Sequence, residues 1–391
     1  MQFAERPSML VFDDMHWSDA ASVELFLHLL PLTEEIPLVL LCALRPDRGA
    51  PGWQIKTAAD GEYHHRYTEI SLRPLTEAQS DELVNRLLTI ADLPERLRAA
   101  ILEKSGGNPF FVEEVVRTLI DSGAVVAETR GDDPSGRLYW RATSEGAEFD
   151  IPDNLQSLLA ARIDRLEEET RQTLQLASVI GRTFYYRVLT AMASDSAATT
   201  AELDRRLGTL VRLEMIQEAA RLPEVEYKFR NPLMQEATYQ TILMKRRREF
   251  HRRVGAAMET LFAERLAELA PRLAYHFAEG GDPERALKYF TLAGDAAYRL
   301  YANKEAIAHY DRALEIAVNG REAPSQLTHL FTRKGRALEL NSHFADALAN
   351  YERMESLAKE RGDRPLELSA LVLQGTIRSN LNDQHNPELA K

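Results

Sequence analysis

A spacing repeats in the last third of the chain. Gly294, Ala306, Tyr310 and Ala313 recur 41 positions later as Gly335, Ala347, Tyr351 and Met354, and Gly375 stands 40 beyond Gly335. Small, small, aromatic and small side chains at this spacing restrict the fold more than composition does. Each unit has to be a pair of antiparallel helices. The small residues let the two helices approach, the aromatic fills the gap between neighbouring pairs, and no pair buries its apolar face alone. Ala274, Phe277, Ala286, Phe290 and Ala293 read as an earlier, divergent pair. A helix over 366–381, with Leu368, Leu371, Val372, Gly375 and Ile377, opens a third unit whose second helix would begin near Pro387. One apolar face of that helix is therefore expected to lack a partner.

The start of the chain has a different character. In MLVFDDMHWSD (9–19) four apolar residues run into Asp13 and Asp14. DAASVELFLHLL (19–30) carries Val23, Phe26, Leu27 and Leu30 on one helical face, and PLVLLCALRPD (37–47) is a second continuously apolar strand. Strand, helix and strand of this kind make a parallel α/β unit buried on both faces. Residues 48–68 read as loop, 70–88 as a short strand and a helix capped near Thr76, and 105–123 as a helix capped by Asn108 with Pro109 in its first turn. Two strands, AVVAE and RLYWR, flank the turn GDDPSG within 124–150.

A helical block follows from 151 to 262. Leu155, Leu158, Leu159, the stem of Arg162, Ile163 and Leu166 form its first stripe. Helices near 168–180, 185–193 and 200–213, then MIQEA and VEYKF as a hairpin, give a winged-helix pattern closed by helices over 232–243 and 245–262. The basic run KRRREFHRR (245–253) reads as a solvated helix face with Phe250 and Val254 turned inward.

Bulk properties exclude several classes. A net charge of −12 over 391 residues argues against a broad nucleic-acid or membrane-surface role. The single cysteine, Cys42, rules out a disulfide framework and fits a reducing, cytoplasmic setting. The apolar run 36–44 is too short to span a bilayer. His16, His64 and His65 lack partners at metal spacing.

A strand ending in Asp-Asp can place one carboxylate on a magnesium-bound water and the other beside a γ-phosphate. FDDMHWSD, RPD, LRPLT, GGNPFFVEE, IPDNLQSLLAARIDRL, ASVIGRTF, YKFRNPLMQEATY and the repeat array follow one another in an ordered series. That series resembles the STAND-type signalling ATPases of bacteria, the modules found in LuxR-type regulators and in multidomain class III adenylate and guanylate cyclases. The repeat spacing is that of a tetratricopeptide repeat, with longer connections. The resemblance implies a multidomain chain: the later part of an α/β P-loop NTPase (1–123, Walker B onward), a hairpin linker (124–150), a winged-helix domain (151–262) and an all-α tetratricopeptide-like solenoid (263–391).

By the same resemblance Asp13 would position magnesium and Asp14 would be the second, catalytic acid. Arg45 would sense the γ-phosphate and Pro109 would pack on adenine. Asn231 stands where relatives often carry a nucleotide-reading histidine, and an asparagine cannot become cationic. ATP or ADP with Mg would be the cofactors of the parent protein.

No segment reads G-x-x-x-x-G-K-[ST]. The phosphate-holding loop is expected upstream of Met1, as a partner segment of the same protein. Without it Asp13 and Asp14 would hold Mg weakly, and Asp14 would act only once the loop is supplied. Two other functions compete: an interaction module binding a protein or peptide through the repeats, and a winged-helix DNA-binding regulator. The mixed charges of 200–219 (Glu202, Asp204, Arg205, Arg206, Arg212, Glu214) argue against DNA.

Overall fold

The computed structural model describes residues 6–87, 90–92, 94–129, 138–143, 151–152, 154–194, 199–320 and 324–379. Contacts divide the chain into two compact units: the residues up to Ile70 together with those from Phe262 onward, and Ser71–Leu261.

In the first stretch β1 (Ser8–Phe12) leads through a 3-10 turn to α1 (Ala20–Leu29), α2 (Leu32–Glu35) and β2 (Leu38–Cys42). The strands pair in parallel, with Met9 opposite Val39 and Val11 opposite Leu41. Asp19 caps α1 by accepting from Ser22 N–H at 2.6 Å. Leu10, Phe12, Leu40 and Cys42 belong to the inner face, where Phe12, Leu40 and Cys42 pack with Val23, Phe26, Leu30 and Ile55. Residues 53–62, expected to be loop, form α3 (Trp53–Glu62). Its Ile55 and Ala59, one turn apart, are buried, and the flanking Pro51 and Gly52 mark its start. Gly52 is obligatory for packing, since a Cβ there would lie 2.1 Å from Met15 O.

The second unit begins with α4 (Glu77–Leu87), β3 (Ile90–Asp92), α5 (Glu95–Ser105) and α6 (Pro109–Asp121). Then come β4 (Val125–Thr129) and β5 (Leu138–Ala142), antiparallel as expected; their connecting turn lies outside the described residues. β3 adds to β5 in parallel, a pairing the sequence reading lacks. Next are α7 (Leu155–Asp164), α8 (Glu168–Ile180), β6 (Thr183–Tyr185), α9 (Tyr186–Ser194), α10 (Thr200–Arg212), β7 (Ile216–Ala220), β8 (Glu226–Phe229), α11 (Pro232–Gln240) and α12 (Met244–Leu261). The expected hairpin is β7–β8, and β6 joins it as a third antiparallel strand.

One apolar core runs from α4, α5 and α6 through Val125 to Ile151 and Leu158, so residues before and after 124–150 share a single interior. Arg162 needs a correction: its guanidinium is buried along with its stem, because Glu114 and Asp121 (3.2 Å) neutralise it and Leu213 O accepts from it at 2.8 Å. An unpaired charge at that depth would cost several kcal/mol, roughly.

From Phe262 on, the chain is helical: α13 (Leu266–Glu279), α14 (Pro283–Arg299), α15 (Asn303–Asn319), α16 (Pro324–Leu340), α17 (Phe344–Arg361) and α18 (Arg364–Ser379). The repeat is explicit in the backbone. The turn residues Tyr301 and Ser342, 41 apart, both have positive φ, 58° and 60°. The repeated glycine and aromatic meet inside one hairpin rather than between hairpins: a Cβ on Gly294 would lie 2.6 Å from the Tyr310 ring, and one on Gly335 2.3 Å from that of Tyr351. Each buried ring donates its hydroxyl to a carboxylate on the facing helix, Tyr310 to Asp295 at 2.7 Å and Tyr351 to Glu339 at 2.8 Å. On α18, Leu366, Ala370, Gln374 and Ile377 are buried, whereas Leu368, Leu371 and Val372 are exposed. Among the described residues no helix is long and apolar enough to cross a membrane.

Candidate functional site

Parallel strands place their C-terminal ends side by side, and that end is where open α/β sheets gather ligands. Here it carries Asp13 and Asp14 after β1 and Arg45 three residues after β2. The connection is pinned by its backbone. Ala43 N–H donates to Phe12 O at 2.8 Å, and Met15 N–H donates to Ala43 O at 2.9 Å. The sharp exit forces Asp14 into the left-handed region, φ 55° and ψ 34°, where a non-glycine residue is strained by about 1 kcal/mol or more. Asp13 Oδ1 accepts the Asp14 N–H at 2.9 Å, which leaves the remaining carboxylate oxygens of two exposed aspartates at the strand end.

His16 and Trp17 complete this end, and sequence reasoning gave neither a role. The His16 side chain is buried, its Nε2 stands 3.9 Å from Asp14 Oδ1, and its ring lies 4.3 Å from that of Trp17. Neither ring nitrogen of His16 has a hydrogen-bond partner among the described residues. The Arg45 guanidinium sits 5.6 Å from the Trp17 ring centroid, a cation–π distance. Burial pushes the neighbouring Cys42 thiol up to about 11, so it stays protonated and inert.

Among the described residues no three His, Cys, Asp or Glu side chains gather to form a metal cage.

The other two residues implied by the resemblance lie in the second unit. Gly107 has φ 76°, and its carbonyl accepts from Leu75 N–H at 2.8 Å, so the LRPLT and GGNP segments meet. A Cβ on Gly107 would lie 2.3 Å from Leu75 O, so no larger residue fits. Asn108 caps α6 by accepting from Phe110 N–H at 3.0 Å, which leaves Pro109 exposed at the first position. Asn231 is a cap as well: its Oδ1 accepts from Leu233 N–H at 2.7 Å, which leaves its amide N–H groups and a second Oδ1 lone pair for another partner.

Sequence reasoning also missed how α6 is fixed. Besides the Arg162 network, Glu214 (φ 53°) pairs with Arg117 of α6 and, at 3.2 Å, with Arg230. The available signal was Glu114 and Arg162 standing within apolar helical stripes. In the basic run Lys245, Arg246, Arg248 and Arg252 are exposed, and the other two arginines are anchored. Phe250 and Val254 are buried, Arg247 donates to Ile242 O and Gln240 O at the end of α11, and Arg253 donates to Met192 O at 2.8 Å.

Three comparisons with known proteins bear on the chain. A family model described as a domain of unknown function, DUF8739, matches residues 76–130. An uncharacterized protein of Rhizobium meliloti (strain 1021) is 28% identical over 322 residues, covering 79% of this chain; the chain spans 28% of that relative's length. The crystal structure of a Signal Transduction ATPase with Numerous Domains (STAND) protein with a tetratricopeptide repeat sensor, from Pyrococcus horikoshii, aligns over 95% of this chain and 59% of its own at 13% identity and TM-score 0.40.

Proposed function

We propose that the chain is part of a nucleotide-dependent signalling ATPase of the STAND type, in which the first unit contributes the acidic end of the nucleotide site and the helical repeats contribute a protein-binding surface. The observation that carries this reading is the strand pair β1–β2. It is parallel, it delivers Asp13 and Asp14 to its C-terminal end, and its outer face is apolar yet uncovered: Met9 is 61% exposed, Val11 64%, Val39 52% and Leu41 47%. A parallel pair is stable when covered on both faces. The bare face fits a further strand and helix of a longer protein, the element that would carry a phosphate-binding loop.

In this role Asp13 would orient magnesium-bound water and Asp14 would sit beside the terminal phosphate. Arg45, held over Trp17, would turn toward phosphate charge. A bound nucleotide would supply the phosphoryl group and the remaining magnesium ligands.

The test is calorimetric titration with MgATP. This chain alone should bind with a Kd of about 1 mM or weaker, near 4 kcal/mol. A longer protein bearing a Gly-Lys-Ser/Thr loop should bind far more tightly and lose hydrolysis on Asp14→Asn. Micromolar binding by this chain, or hydrolysis indifferent to Asp14→Asn in the longer protein, would overturn the reading.

A further inference from the structure

Glu305 and Asp346 are repeat equivalents: each is the third residue of its helix, α15 and α17, and they stand 41 apart. Glu305 is engaged. Its Oε1 accepts the N–H of Ala21, the second residue of α1, at 2.8 Å, and the adjacent Lys304 pairs with Glu24 one turn further along that helix at 3.0 Å. The first hairpin thus holds a helix by its N-terminal turn. A carboxylate meets a free N–H at the positive end of the helix dipole, and a cation meets an acid just inside.

Among the described residues Asp346 holds no helix end. It meets His343 at 3.4 Å and lines a cavity of about 390 Å³ between α15, α16 and α17. The other walls supply what a second helix end would need. Ile307 and Leu338 are apolar, and Lys334 is a cation paired with Asp311 at 2.7 Å. Arg353 is exposed and has no carboxylate partner among the described residues. Asn350 is buried; its Nδ2 donates to Phe331 O at 2.9 Å, which fixes the amide orientation, and its Oδ1 has no donor among the described residues. A carboxylate on a cavity wall, the repeat counterpart of one that already holds a helix end, calls for N–H groups, and a guanidinium with no carboxylate partner among the described residues calls for an acid.

We propose that this cavity is a docking site for the N-terminal turn of an α-helix presented by another protein. The helix would offer free N–H groups to Asp346, an acidic side chain to Arg353, and an aliphatic side chain to Ile307 and Leu338. The proposal deepens the reading of the repeats as a protein-binding surface and is independent of the nucleotide assignment.

The probe is a helical peptide copying residues 18–30, the end that Glu305 already holds, labelled at its C-terminus and titrated with the whole chain by fluorescence anisotropy. Saturable binding is expected, with Asp346→Asn and Arg353→Ala each raising the Kd about tenfold and Glu305→Gln leaving it unchanged. Asp346 and Arg353 are exposed, so both variants should keep the parent melting temperature. No binding, binding indifferent to both substitutions, or binding lost only in Glu305→Gln, which would mean displacement of α1, would each overturn the proposal. A failed ATP titration in the longer protein would leave this assay untouched.

Discussion

The sheet of β6, β8 and β7 and the pair β1–β2 are both small, but they close in different ways. In the first, Phe184 and Phe229 are buried while Thr183 and Lys228 are exposed, the alternation of an antiparallel sheet with one wet face. Phe184 stacks at 5.9 Å on Tyr227 and meets Phe229 edge-on at 6.0 Å. That sheet is complete within its unit. In β1–β2 both alternating sets are apolar, and only the set facing α1 and α3 has a core to enter. A strand pattern thus carries its own statement of how many sides need covering.

Substitutions test that contrast. The largest effect should come from the closed sheet. Phe184→Ala removes a fully buried ring and should cost about 3–5 kcal/mol in urea unfolding; a loss below 1 kcal/mol would mean the sheet is not the closed unit described.

An intermediate effect should appear with pH, from the same unit. Burial, aided by the Arg247 charge, pushes His251 down to about 4, and its Nε2 lies 2.9 Å from the Tyr239 hydroxyl. Between that value and the unfolded value of about 6.5, the unfolded chain binds the extra proton. Stability is therefore present above pH 6.5 and falls as the solution is acidified. Roughly 2 kcal/mol should be lost between pH 7 and pH 5. His251→Gln should flatten that part of the curve; an unchanged slope would remove His251 as its cause.

The smallest effect should be at the bare face. Val11→Thr combined with Val39→Thr should change this chain's stability by no more than about 0.5 kcal/mol, yet should weaken a longer protein in which the face is covered. A loss above 1.5 kcal/mol in the chain alone would show that the face is already packed.

Much of this fold was legible. The hairpins over 283–361 follow from a glycine and a tyrosine whose contact is steric, and the caps Asp19 and Asn108 announce their helices because their side chains satisfy local N–H groups. α3 and α5 were not read. For α3, Gly and Pro at its borders resemble a loop, and a helix with only two buried residues, Ile55 and Ala59, carries little periodic signal. In the candidate site, Asp13, Asp14 and Arg45 were visible as strand-end residues. The caps made by Asn108 and Asn231 were partly visible, since Asx-Pro reads as a helix start whatever else it does.

Local rules govern the strand and helix periods, the capping residues and the glycine–aromatic spacing, so the sequence alone determined them: each depends on atoms a few residues apart, or on the two helices of one hairpin meeting. Tertiary structure decided the rest. It set the left-handed turn at Asp14, the burial of His16 beside it, the neutralisation of Arg162 by Glu114 and Asp121, and the capture of the α1 N-terminus by Glu305. These join residues up to 284 positions apart. Whether a charged side chain is buried or free depends on what the fold brings opposite it, because desolvation and its compensation act through space rather than along the chain.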